Sequence, residues 1–112
     1  PSPFDHWSEA TFQNKVEPFA LMHGWLYYHP FDSSKSRMGF PDTTLCHPGR
    51  RLTIYAELKS VDGRVSPDQR VWLEGLAQAG EYVYLWYPRH WPLAQDILSG
   101  VEDPIRPAHR RR

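Results

Sequence analysis

The chain is short of three things: cysteine, net charge and long apolar runs. It has one cysteine in 112 residues, and Cys46 has no partner for an internal disulfide. That excludes a disulfide-stapled scaffold and favours a reducing, intracellular setting. Lys and Arg number 13 against 13 Asp and Glu. The chain is therefore neither a polybasic arm nor an acidic tail, and any charge-driven partner must be met by local patches. No apolar stretch approaches the roughly 18 residues of a membrane span. No charged start leads into an apolar segment, so no secretory signal is expected. The Pro1-Ser2 start, without an initiator Met, leads us to expect upstream residues.

Hydrophobic residues make up 40% and charged residues 23%, the composition of a globular domain rather than a disordered chain. The length fits one domain. Residues 1–7 read as an N-terminal extension, 8–98 as the domain and 99–112 as an irregular basic tail that ends His109-Arg110-Arg111-Arg112 and carries Pro104 and Pro107.

Ser8 is an N-cap candidate with Glu9 in the first turn. Phe12, Val16, Phe19, Ala20 and His23 follow on one helical face. Pro18 predicts a kink in that helix, or a restart near Glu17, and Gly24 ends it. Trp25 to His29 reads as a strand, followed by a loop over 30–41. Thr43–His47 and Leu52–Leu58 are strands joined by the Pro48-Gly49 turn. Ser66, Pro67 and Gln69 form a capping box for a second helix, ended by Gly80. Tyr82 to Tyr87 is the last strand, and Trp91–Leu98 a short last helix. The order αβββαβ predicts an α/β fold with a central mixed sheet flanked by helices, its last strand added in parallel through a crossover.

Glu57 and Lys59 lie two apart on the third strand and so share a face. The hairpin brings Asp42, at the start of the second strand, beside Glu57. Two carboxylates held together repel unless a hard cation sits between them, and Mg²⁺ is commonly held by one or two carboxylates. A lysine beside them can orient a nucleophilic water or stabilise charge growing on a phosphate. A solvated Glu–Lys pair on a sheet edge is the plainer alternative. Glu9 is equally explained by the helix dipole, and Gln69 by the capping box.

Ser-Glu-x-x-Phe-Gln at 8–13, Gly-Phe-Pro-Asp at 39–42, Ala-Glu-Leu-Lys at 56–59 and Ser-Pro-Asp-Gln at 66–69, with Trp72 and Leu73, resemble the VRR-NUC domain, a branch of the PD-(D/E)xK nuclease superfamily. Pro18 departs from the family pattern. The resemblance implies a restriction-endonuclease-like core and a divalent-metal DNA endonuclease using Mg²⁺ or Mn²⁺. By residue, it implies that Asp42, Glu57 and the Leu58 backbone carbonyl hold the metal. It makes Lys59 the catalytic lysine and sets Glu9 and Gln69 beside them. It also implies a homodimer acting on branched DNA, with a four-way junction the preferred substrate, in the cytoplasm of a bacterial or phage-infected cell.

Lys35, Arg37, Arg50 and Arg51 are candidates to hold the DNA backbone, since phosphate contacts position a duplex without reading its sequence. Cys46 and His47 point to opposite faces of one strand and make no zinc site. His29 reads as a surface histidine near the site. A catalytically silent nucleic-acid-binding module on the same fold, or a protein-interaction subunit using the aromatic last strand, are the alternative functions.

Overall fold

The computed structural model describes residues 1–30 and 38–106. The candidates Lys35 and Arg37, and the 109–112 end, lie outside these residues.

Ser8 opens α1 (Glu9–Met22), its hydroxyl accepting from the Thr11 N–H at 3.0 Å. The helix runs through Pro18 without a restart near Glu17. Proline removes the bond to the Asn14 carbonyl, but both residues are exposed, so water can take that acceptor. On the other face Phe12, Val16 and Ala20 are fully buried and hold the helix down. Gly24, at φ +88°, closes it. The Gly24 and Trp25 N–H groups reach back to the Leu21 and Ala20 carbonyls, a Schellman ending that leads directly into the sheet.

That sheet has four strands in the order β1 (Leu26–Tyr28), β2 (Thr43–His47), β3 (Leu52–Leu58) and β4 (Tyr82–Trp86). The first three are antiparallel neighbours. After α2 (Pro67–Gln78), β4 joins β3 in parallel, with Leu58 opposite Trp86. A short turn then leads into α3 (Trp91–Ser99). The αβββαβ order and the mixed sheet flanked by helices form the expected α/β, restriction-endonuclease-like core. β1 and β4 are shorter than the aromatic runs suggest, because pairing with β2 and β3 ends before those runs do.

Alternation along the strands sorts the two faces. Leu45, Ile54, Ala56, Leu58 and Trp86 turn to the side covered by α1 and α3 and form the core with Phe12, Val16, Trp91 and Leu98. Leu85 and Tyr87 turn to the other side, where α2 packs. The Trp25 indole N–H donates to the Leu98 carbonyl at 2.8 Å and ties the exit of α1 to the end of α3. Phe4 and Trp7, ahead of α1, pack on this core. At the other end Pro104 is buried, and the Ile105 N–H donates to the Tyr84 hydroxyl. Among the described residues, no helix is long and apolar enough to cross a membrane.

Candidate functional site

The hairpin brings Asp42 and Glu57, 15 residues apart in sequence, to one end of the sheet, where the Asp42 N–H donates to Glu57 Oε1 at 3.2 Å. The three residues before Asp42 set its position. Gly39 has φ +85°, and a Cβ there would lie 2.4 Å from the Asp68 carbonyl oxygen, so the chain can press against the first turn of α2 only as glycine. Phe40 packs edge-on between Tyr55 and Trp72, and Pro41 is buried.

Glu9, Asp42 and Glu57 each offer a carboxylate oxygen, all within 4.8 Å of one another. Glu9 comes from the first turn of α1, so the unbroken helix delivers it to the acids of the hairpin. Glu57 is only 3% exposed. Burial pushes its carboxyl up to about 7, and the neighbouring Asp42 charge adds to the effect although Lys59 opposes it. Burial likewise raises Asp42 to about 6, against hydrogen bonds from the Thr43 hydroxyl and the Leu58 N–H. The cluster is short of positive charge.

Lys59 is buried with its ammonium 3.5 Å from Glu57 Oε2. Its N–H donates to the Trp86 carbonyl across the parallel pair. Gln69 serves the helix cap and the cluster at once. Its amide oxygen accepts from the Ser66 N–H at 2.9 Å, and its amide nitrogen donates to Glu57 Oε2 at 3.1 Å. The Leu58 N–H donates to Asp42 Oδ1 at 3.3 Å. A strand residue turns its N–H and carbonyl to the same edge, so the Leu58 carbonyl also faces the Asp42 side.

Behind Asp42 lies a set of contacts that sequence reasoning missed. The Thr43 hydroxyl donates to Asp42 Oδ1 at 2.9 Å, and Gln13 Nε2 donates to Thr43 Oγ1 at 2.7 Å. The Tyr27 hydroxyl donates in turn to Gln13 Oε1. Burial pushes the Tyr27 phenol up, so it stays a donor. The available signal was polarity on apolar faces: Thr43 alternates in phase with Leu45, and Gln13 sits between Phe12 and Val16, one turn beyond Glu9. His29 places Nδ1 2.8 Å from the Asp42 carbonyl oxygen.

Arg50 and Arg51 are not brought to this cluster. They lie at the opposite end of β3, roughly 20 Å away at strand rise. Arg50 donates to the Ile97 carbonyl at 2.9 Å and covers the Trp25 ring. Arg51 is exposed and holds a left-handed conformation at φ 58°. His47 accepts from the Arg50 N–H and bonds the His23 carbonyl, so it serves the turn. The cluster's potential donors are all oxygens, a set that suits a hard cation such as Mg²⁺ or Mn²⁺. Three carboxylates facing a single ammonium have room for that charge.

Residues 3–87 match the family model of the VRR-NUC domain. The match takes in every element that contributes to the cluster and stops before α3. No curated protein and no solved structure matches the chain.

Proposed function

This chain belongs to the VRR-NUC domain family, and we propose that this nuclease domain is a metal-dependent endonuclease hydrolysing DNA phosphodiesters at the Asp42–Glu57–Lys59 cluster. The observation that carries the reading is the convergence of Glu9, Asp42 and Glu57 within 4.8 Å beside the Lys59 ammonium.

Asp42 and Glu57, with Glu9 and the Leu58 carbonyl, would hold Mg²⁺ or Mn²⁺. Bound there, the ion supplies a Lewis acid that draws charge from phosphate oxygens and acidifies water. Lys59 presents a compact ammonium whose direction is set by Glu57. It can orient the attacking water by hydrogen bonding or stabilise charge developing on the phosphate. Gln69 holds Glu57 Oε2 in place. Lys35, Arg37, Arg50 and Arg51 are proposed as phosphate contacts. With Arg50 already engaged by the Ile97 carbonyl, Arg51 has the freer guanidinium of the last two.

The preferred substrate is proposed to be a four-way junction cut by a homodimer, since two sites related by a two-fold axis suit a two-fold substrate. The test is cleavage of labelled junction, flap and linear duplex in Mg²⁺, Mn²⁺ or EDTA, with Lys59→Ala beside the parent. Metal-dependent cutting that is lost in Lys59→Ala is the expected result. Junctions and linear duplex cut equally well would remove the junction preference. Binding without cutting in any metal would replace the enzyme by a silent nucleic-acid-binding module.

A further inference from the structure

We propose that Tyr27, Gln13 and Thr43 form a positioning relay that fixes Oδ1 of Asp42 as a hydrogen-bond acceptor and reserves Oδ2 for the divalent cation. The inference rests on the reading of Asp42 as a metal ligand.

A phenol hydroxyl has one proton, and Tyr27 gives it to Gln13 Oε1. That fixes which way the Gln13 amide points and leaves Nε2 to donate into Thr43 Oγ1. The Thr43 hydroxyl also has one proton. With Gln13 donating into its oxygen, that proton goes to Asp42 Oδ1. The Leu58 N–H ends on the same oxygen. Among the described residues, both hydrogen bonds to this carboxylate therefore fall on Oδ1.

An aspartate carboxylate rotates in a broad, roughly two-fold well, so without these donors either oxygen could turn toward the cluster. Thr43 is 0% exposed and Gln13 7%, so water is a poor competitor for either bond. The relay starts on β1, passes through α1 and ends on β2. It couples the helix that carries Glu9 to the orientation of Asp42. Partners of this kind around a ligating carboxylate typically matter by about 10- to 100-fold in metal affinity.

The test is calorimetric titration of Mn²⁺ into the parent, Thr43→Val, Thr43→Ser, Tyr27→Phe and Asp42→Asn, with the thermal midpoint of each. Thr43→Val keeps the side-chain shape and loses the hydroxyl, and Mn²⁺ binding is expected to weaken about 10- to 100-fold. Thr43→Ser restores the hydroxyl and should bind close to the parent. Tyr27→Phe acts from the far end of the relay and should weaken binding in the same direction. A merely structural role would lower the midpoints and leave the affinities alone. Parent-like affinity in Thr43→Val, or in Tyr27→Phe where Thr43→Val does not fold, overturns the relay and leaves the nuclease reading intact. A parent chain that binds Mn²⁺ no better than Asp42→Asn overturns the metal reading and the relay with it.

Discussion

The peptide N–H of Asp42 donates to the carboxylate of Glu57 at 3.2 Å, so one acid partly solvates the other. The same contact holds two negative side chains close together in a buried setting. Burial is the largest cause of both raised carboxyls, and each acid's neighbours add repulsion.

Stability of the metal-free chain should therefore fall as pH rises. Asp42 goes from 3.8 to about 6 and Glu57 from 4.5 to about 7 on folding. Between those values the folded chain keeps protons that the unfolded chain has released. The contribution is fully present below about pH 4 and is lost as pH rises to about 7. Thermal midpoints in EDTA across this range should show the slope, and Asp42→Asn/Glu57→Gln should flatten it. Saturating Mg²⁺ at neutral pH should raise the parent's midpoint, because the proposed ion would bind the ionised folded state.

Lys59 and the carboxylates should separate by readout. Lys59→Met removes the ammonium but keeps the buried stem, so the chain should still bind Mn²⁺ while cutting falls by about 100-fold or more. Calorimetry beside a single-turnover cutting assay measures both. Loss of Mn²⁺ binding in Lys59→Met would assign the residue to holding the site together instead.

Gln69 should show two separable effects. Gln69→Ala loses the capping bond and the bond to Glu57, at a cost of about 1 kcal/mol in urea unfolding. Gln69→Glu can still accept from the Ser66 N–H, so more of the stability survives. It brings a further negative charge against Glu57, and cutting should drop as far as in Gln69→Ala.

Gly39 and Arg51 share the left-handed region but should respond in opposite directions. Gly39→Ala adds a Cβ against the Asp68 backbone and should cost at least about 1–2 kcal/mol from conformation alone. Arg51→Gly removes a side chain from φ 58° and should gain about 1 kcal/mol. Denaturant midpoints of the two variants provide the comparison.

Much of this molecule is written in local signals. The caps at Ser8 and Ser66, the glycine stops and the Asp42–Glu57 convergence follow from short-range chemistry and a two-residue period. Pro18 does not restart the helix, because Phe12, Val16 and Ala20 on the opposite face hold both halves to one core. Gln69 presented two readings as rivals when the two ends of one amide satisfy both. The Tyr27–Gln13–Thr43 contacts were illegible for a different reason. They join residues from three elements whose pairing no local pattern specifies, and each residue alone looks like an ordinary polar insertion.

The parallel seating of β4 divides the site by contact order. Asp42 and Glu57 belong to adjacent antiparallel strands and can meet as soon as the hairpin closes. The bond from the Lys59 N–H to the Trp86 carbonyl must wait until α2 has crossed and β4 has docked, and longer loop closures come at greater entropic cost. In a chain lacking that docking, the acids could meet while the strand bearing their ammonium is unpaired on one side. Neutralisation of those acids, by protons or by a divalent cation, should then speed the step that closes the hairpin.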